Sequence, residues 1–188
     1  MPAQPPALGR LDTVDAASRP DLLAEPVAAA LKALADDGRP VHALVAPIDP
    51  DLADTAAFCA AYDVPLDASA NCVVVAGSRA GERRVAACMV LATTRADVNR
   101  IVRKRLEVRK ASFLPMDDAV AATAMEYGGI TPLGLPADWP ILVDSAVAAL
   151  PAAVIGSGVR RSKMIVTGAD LASLPNAEVI EGLGRPVE

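Results

Sequence analysis

Short apolar runs separated by turn residues are the feature that most constrains the fold of this chain. Residues 71–77 (NCVVVAG) and 85–93 (VAACMVLAT) flank the stretch SRAGERR, which predicts a β-hairpin. Further strands are predicted in VHALVA (41–46), ASFL, PILVDS, AAVIGSG and KMIVTG, with helical patterns between them. Because helices and strands do not alternate strictly, the order favours an α+β or mixed α/β domain over a doubly wound parallel sheet.

Length and composition predict one domain with an aliphatic core. The chain has 188 residues, of which 53% are apolar and 3% aromatic. So low an aromatic content argues against exposed aromatic platforms that stack single-stranded bases. Residues 1–40 are predicted to form an arm and a helix that pack on a domain made by residues 41–188.

Neither a targeting segment nor a membrane span is predicted. The longest uncharged stretch, residues 145–159, is short and is interrupted by Pro151 and two glycines. We therefore expect a cytoplasmic protein that does not enter a membrane.

Metal and cofactor chemistry has few residues to draw on. Cys59, Cys72 and Cys88 form no C-x-x-C pair, and His42 is the single histidine. Since zinc sites are built from several Cys and His ligands, we expect no metal and no other cofactor. The cysteines are interpreted as reduced, mostly buried small hydrophobes.

The stretch EYGGITPLG (126–134) packs three glycines and a proline into nine residues. It matches neither the phosphate-binding pattern G-x-x-x-x-G-K-[ST] nor the dinucleotide pattern G-x-G-x-x-G. Two interpretations stay open. The loop either presents backbone N–H groups to a ligand carbonyl or oxyanion, or it is a structural crossover from helix to sheet, which composition alone slightly favours.

The charge is unevenly distributed along an acidic chain. The net charge is −5, but residues 68–163 carry 13 basic and 8 acidic side chains. Residues 95–110 hold seven of the Lys and Arg side chains, on a predicted helix over 97–110, and VRRSK (159–163) is a second basic site. Such a run is usually a solvated helix face, and its functional alternative is contact with nucleic acid phosphates.

No nucleophile and base pair is evident in the sequence. No serine lies in a G-x-S-x-G motif, and one imidazole is available. Asp144 ends the apolar run ILVD, where a carboxylate must find partners or reach a cleft. A cap for the following SAVAAL segment is an equally good interpretation of Asp144.

The order of these features over residues 52–182 resembles the YbaK/ProX family. The resemblance rests on TAAFCAAYDVPLDASANCVVVAG, on the helix leading into GGITPLG, and on ILVDS and GSGVRRSKMIVTGADLASL. The family's usual form of the glycine segment is close to T-G-x-x-x-G-G-[VI]-x-P-x-G. Here Thr123 is kept and Ala124 stands where glycine is usual.

The resemblance implies a mixed α/β domain around a twisted, partly barrel-like sheet. These proteins are aminoacyl-tRNA deacylases, including editing domains associated with prolyl-tRNA synthetases, and they use no metal. The activity implied is metal-free hydrolysis, by water, of the ester that joins a wrong amino acid to the 3′ end of a tRNA. One departure is clear: Asn71 stands where the family has its signature lysine. Lys110 or Lys163 could replace that cation only if the fold brings one of them into the cleft.

The resemblance also implies roles for individual residues. The catalytic candidates are Asn71, Gly128 and Gly129. The substrate-binding candidates are Ile130, Thr131, Pro132, Gly134, Asp144, Gly156 and Gly158. The candidates for tRNA phosphate contact are Arg100, Arg103, Lys104, Lys110, Arg160 and Arg161.

Three functions remain open at this point. The leading one is a freestanding trans-editing hydrolase whose partner is the acceptor end of an aminoacyl-tRNA, with an aminoacyl-tRNA synthetase as a further candidate partner. The second, supported by Asn71, is a catalytically silent protein of the same fold that binds tRNA or an aminoacyl ligand. The third is a hydrolase of small esters or thioesters. The amino acid removed and the oligomeric state are left open.

Overall fold

The computed structural model describes residues 4–187, which form eleven strands and six α-helices. The strands are β1 (Val14–Asp15), β2 (Leu44–Pro47), β3 (Ala70–Arg79), β4 (Glu82–Leu91), β5 (Thr94–Ala96), β6 (Ala111–Phe113), β7 (Ile141–Asp144), β8 (Ala153–Gly156), β9 (Ser162–Val166), β10 (Ala177–Ile180) and β11 (Gly184–Pro186). The helices are α1 (Glu25–Asp36), α2 (Thr55–Tyr62), α3 (Arg103–Arg105), α4 (Met116–Thr123), α5 (Ser145–Ala148) and α6 (Gly168–Ala172).

The strands pair into one mixed sheet, one antiparallel sheet and a two-stranded ribbon. The mixed sheet has the order β10-β7-β4-β3-β6, with β7 parallel to both β10 and β4. The antiparallel sheet has the order β1-β2-β9-β8, and β11 pairs with β5. The predicted mixed α+β class is confirmed, and within residues 4–187 no sheet closes into a barrel.

The two larger sheets share one aliphatic core and meet at one edge. Met89 and Val143 from the mixed sheet lie in the same buried cluster as Val45 and Met164 from the antiparallel sheet. A single parallel bridge between Ser69 and Val154 joins the start of β3 to β8. Several of the candidate site residues line a cavity at this junction.

The predicted hairpin is confirmed, but its strands extend into the stretch SRAGERR that was predicted as the turn, and the second strand ends at Leu91. β3 and β4 pair antiparallel over their ten residues each and turn at Ala80-Gly81. Both turn residues have positive φ, 51° and 83°, which is the backbone that matches the right-handed twist of paired strands.

The basic segment folds differently from its prediction as one helix over 97–110. A π-helical turn, Val98–Val102, leads into the short α3, and the helix ends before Glu107, whose φ is +55°. The predicted apolar face is nevertheless present, because Val98, Val102 and Leu106 are buried against β3 and β4. The basic side chains of the segment therefore point outward.

Helix α1 covers one side of the shared core with Val27, Leu31 and Leu34. Over residues 4–187, no helix has the length and apolarity needed to cross a membrane.

Candidate functional site

A cavity of about 440 Å³ lies where the two larger sheets meet. Its walls come from the start of α2, the first half of β3, the segment from Phe113 to Ala119, the glycine stretch and the ends of β8 and β9. Residues more than a hundred positions apart in the chain therefore line one space. This size is within the usual range of small-molecule sites.

The glycine stretch forms one rim of the cavity and packs backbone against backbone on the turn after β8. The Gly158 N–H donates to the Gly129 carbonyl oxygen at 2.7 Å, and the Glu126 N–H donates to the Gly158 carbonyl at 2.8 Å. A Cβ on Gly129 would lie 2.8 Å from the Val159 carbonyl oxygen, and one on Gly156 would overlap the Gly129 carbonyl. These two positions need glycine because side chains would separate the two backbones.

Two N–H groups of the loop remain available to a ligand. The Gly129 N–H is already donated to the Glu126 carbonyl at 2.9 Å, so the predicted role of Gly129 as a donor to substrate is not open to it. The N–H groups of Gly128 and Ile130 have no acceptor among residues 4–187, and both residues line the cavity. Gly128 and Ile130 are therefore the lining residues of the loop whose N–H groups are unpaired among the described residues.

Asn71 faces the same cavity from the start of β3. Its Oδ1 accepts a hydrogen bond from the Thr55 hydroxyl at 2.9 Å, which fixes the side chain against the first turn of α2. The Asn71 NH₂ group has no acceptor in the part of the chain that the structure describes, so it can donate into the cavity. The predicted partners Asn71 and the glycine loop thus meet in one space.

Lys163 provides the cation of the cavity. It lies on β9 opposite Ala46 and Gly156, its side chain is 8% exposed, and it lines the cavity floor. Burial, and then the neighbouring Arg160, lower the pKa of Lys163, while Asp54 opposes this shift. Its Nζ lies 5.5 Å from the centroid of the Phe58 ring. Of the two lysines named from the sequence, the fold brings Lys163 and not Lys110 into the cleft.

The sequence profile of the aminoacyl-tRNA editing domain matches residues 49–174. The chain belongs to this family. No curated protein matches the sequence of this editing domain.

Solved structures agree on the fold. A candidate trans-editing enzyme for prolyl-tRNA synthetase has a TM-score of 0.69 at 17% identity, over 85% of this chain and 97% of that chain. A scaffold protein from computational epitope backbone grafting has a TM-score of 0.69 at 18% identity, over 88% and 100% of the two chains. A hypothetical protein reaches 0.67 at 17% identity, over 82% and 97%.

Asp144 lies outside the cavity of this editing domain, which corrects its prediction as a substrate-binding residue. Its carboxylate accepts from the Ala146 N–H at 2.8 Å and from the Gly184 N–H at 2.5 Å. The side chain is buried and caps α5, because a strand that runs directly into a helix leaves N–H groups that need an acceptor. The capping interpretation of Asp144 is the one that the structure adopts.

Four other predicted substrate residues hold the loop in place and do not line the cavity. Thr131 and Pro132 are buried under it. Gly134 packs against the Pro26 backbone of α1, and Gly158 packs against Ala24. Of the predicted substrate-binding set, Ile130 and Gly156 line the cavity.

Arg160 braces the glycine loop. Its guanidinium donates to the carbonyl oxygens of Pro50 at 3.1 Å and Tyr127 at 3.4 Å, and it lies 3.6 Å from the Asp54 carboxylate. The Arg160 N–H also donates to Glu126 Oε2 at 2.6 Å. These contacts tie the loop to the segment before α2 and occupy much of the guanidinium that was predicted to contact phosphate.

The remaining basic candidates lie away from the cavity lining. Arg161 donates to the Asp21 carbonyl at 2.6 Å, and Arg100 pairs with Asp97 at 3.2 Å. Arg103 donates to the Asn99 carbonyl at 2.7 Å. The exposed side chains of this set are Arg100, Arg103, Lys104, Lys110 and Arg161.

Three exposed apolar side chains surround the mouth of the cavity: Phe113, Met116 and Tyr127, which are 58%, 50% and 59% exposed. The chain has only five aromatic residues, and two of them stand here. The low aromatic content therefore does not exclude exposed aromatic side chains at this position, because composition counts residues without regard to where the fold places them.

The lining offers no imidazole and no ready thiolate. Burial raises the pKa of the Cys72 thiol, so it is protonated near neutral pH and is a poor nucleophile. Within residues 4–187, no three His, Cys, Asp or Glu side chains are grouped closely enough to hold a metal ion.

Proposed function

We propose that this editing domain is a trans-editing hydrolase that removes an amino acid from the 3′ end of a mischarged tRNA. The observation that carries the proposal is the convergence of two unpaired loop N–H groups, Gly128 and Ile130, with the Asn71 amide on one cavity. Membership of the family of aminoacyl-tRNA editing domains supports the choice of substrate.

The proposed reaction is a direct attack of water on the ester carbonyl. The N–H groups of Gly128 and Ile130 donate to the carbonyl oxygen and stabilise the negative charge that develops on it. The Asn71 NH₂ group holds the acyl carbonyl or the attacking water. A new C–O bond forms to water and the ester C–O bond breaks, which releases the amino acid and leaves a free ribose hydroxyl on the tRNA. Because Cys72 is protonated, no covalent acyl-enzyme is proposed.

The mouth of the cavity suits the end of a nucleic acid strand. Phe113 and Tyr127 offer faces on which unpaired terminal bases can stack, a contact that does not depend on base identity. The exposed basic side chains of the segment 100–110 would then contact phosphates of the acceptor stem.

Hydrolysis of a panel of aminoacyl-tRNAs under single-turnover conditions tests the proposal, with Gly128→Ala as the main variant. Gly128 has a φ of +82°, and a Cβ there would lie 2.6 Å from the Arg160 guanidinium, so we expect hydrolysis at least tenfold slower. Gly81→Ala is the matched control, since Gly81 has a φ of +83° with open space around it in the hairpin turn. It should carry the same backbone strain without the approach to Arg160, and it should keep its activity.

Asn71→Ala separates the enzyme from a silent binding protein. We expect it to slow hydrolysis, whereas the exposed Asn99→Ala should not. A wild-type protein that binds tRNA but hydrolyses no member of the panel would favour the catalytically silent alternative. That alternative is supported by Asn71, which stands where the family has a lysine.

A further inference from the structure

We infer that Lys163 makes the cavity selective for an acyl group that itself carries a carboxylate, as an aspartyl or glutamyl ester does. The carboxylate would lie on the cavity floor against the Lys163 ammonium. This inference rests on the proposed function, because it names the substrate class of the same cavity.

The first argument is that Lys163 differs from every other buried charge among residues 4–187. Asp97, Asp144 and Asp170 are the other buried charged side chains. Each of these carboxylates accepts hydrogen bonds from backbone or side-chain groups. Lys163 is 8% exposed and forms no hydrogen bond or ion pair with any described residue. The Lys163 Nζ atom is not fully shielded from solvent, so a ligand carboxylate that takes the place of cavity water gains a charge-assisted contact with it.

The second argument is position. Lys163 and Gly156 are cross-strand partners, so their side-chain positions share one face of the sheet. The backbone of Gly129 and Ile130 covers that face at Gly156, and Phe58 of α2 lies over Lys163. The ammonium therefore lies on the floor between the glycine loop and α2. An acyl group whose ester is held by the loop can extend to it.

The third argument is the charge of the surroundings. Asp54 and Lys163 are the two charged residues in the lining, and Arg160 and the Cys59 thiol of α2 also face Lys163. The Asp54 carboxylate is 78% exposed and lies 3.6 Å from Arg160, so it does not neutralise the floor. Its place at the mouth suits the α-ammonium of an aminoacyl group. Helix α2, whose N-terminus is not capped by the Asp54 side chain, borders the cavity at Thr55 and adds to the positive potential.

A neutral acyl group would leave the ammonium without a charged partner. Hydrogen bonds between charged groups are roughly twice as strong as neutral ones. We therefore expect a carboxylate to be preferred over its carboxamide isostere by about tenfold.

Binding of non-hydrolysable amide analogues tests the inference. The probes are 3′-aspartylamido- and 3′-asparaginylamido-adenosine, which differ in charge and hardly in shape, and calorimetry measures their affinities. The wild type should bind the aspartyl analogue about tenfold more tightly. The preference should disappear in Lys163→Gln and in Lys163→Met, and persist in Lys32→Gln, which changes an exposed lysine on α1. It should also fade as rising pH removes the ammonium.

Several outcomes would overturn the inference: no binding of either analogue, equal affinities in the wild type, or a preference retained without Lys163. Binding of a phosphate in place of the acyl carboxylate is tested by adding a 5′-phosphate to the asparaginyl analogue. If that phosphate raises affinity and Lys163→Gln removes the gain, the ammonium binds the nucleic acid backbone and not the acyl group.

Failure of this inference is distinguishable from failure of the proposed function. Hydrolysis of neutral aminoacyl-tRNAs without a preference for the aspartyl analogue would overturn the inference alone. A clear aspartyl preference in a protein that hydrolyses no ester would support the inference as a binding site and overturn the hydrolase.

Discussion

Asp97 and Lys163 are both buried charges, 7% and 8% exposed, and the fold treats them in opposite ways. Asp97 accepts the Arg100 N–H at 3.1 Å and pairs with the guanidinium groups of Arg100 at 3.2 Å and Arg185 at 2.7 Å. Lys163 has only the face of Phe58 and the open cavity. A charge with a full set of partners joins elements of the fold, whereas a charge that faces a cavity without partners is available to a ligand.

The difference also separates the two positively charged regions of the molecule. The segment around Asp97 lies on the outer side of β3 and β4, where its arginines reach solvent. Lys163 stands on the face of the antiparallel sheet that α2 covers, in a cavity that water and substrate reach through the mouth lined by Phe113 and Tyr127. We therefore expect long-range attraction of a nucleic acid to depend on the arginines near Asp97, and recognition of the acyl group to depend on Lys163.

The largest expected effect is the loss of stability when Asp97, the buried charge with a full set of partners, is replaced. Asp97→Ala removes a helix-capping acceptor and two ion pairs, so we expect it to lower the free energy of unfolding by about 2–3 kcal/mol. Urea denaturation measures this loss. Asp97→Asn keeps an acceptor for the cap and should lose less. An Asp97→Ala protein as stable as the wild type would contradict the structural role of Asp97.

An opposite effect is expected at Lys163. Lys163→Met replaces an unpaired buried ammonium by an apolar side chain of similar length, and should raise the free energy of unfolding by about 1–2 kcal/mol near neutral pH. Because burial lowers the pKa of Lys163 in the folded state, the unfolded state binds more protons between the two pKa values. The cost of Lys163 is therefore complete below the folded pKa and disappears as the pH rises toward the unfolded value.

Denaturation of the wild type and of Lys163→Met across a range of alkaline pH checks the predicted direction of this pH dependence. The stability difference should shrink as the pH rises. A constant difference, or a less stable Lys163→Met, would mean that packing of the lysine stem and not its charge decides stability.

The smallest expected effect comes from Ala124, a second residue that is expected to lower the stability of the fold. Ala124 ends α4 with a φ of +53°, in a region that costs alanine energy and suits glycine. Ala124→Gly should raise the free energy of unfolding by about 0.5–1 kcal/mol, measured by thermal denaturation. Hydrolysis should not change, since Ala124 does not line the cavity. No gain in stability would show that Ala124 is not strained.

The residues alone left the glycine stretch open between a backbone-presenting loop and a structural crossover. The resemblance to the YbaK/ProX family named the stretch and Asn71 as partners, and both line one cavity. The role of Gly129 could not be predicted, because its N–H is used by the Glu126 carbonyl only in the folded turn. Asp144 was ambiguous for a similar reason: a carboxylate at a strand end serves as a cap or reaches a cleft, and only the position of α5 decides between them.

The sequence by itself determined the local structure of this protein. Two apolar runs on either side of a turn signal form the β3–β4 hairpin, because that pairing depends on residues close together in the chain. Only the tertiary structure decided which chemical groups meet. Lys163 reaches the cavity because β9 pairs between β2 and β8, which places its ammonium on the face that α2 and the loop cover. Such a placement depends on contacts between distant segments, and no local pattern encodes it.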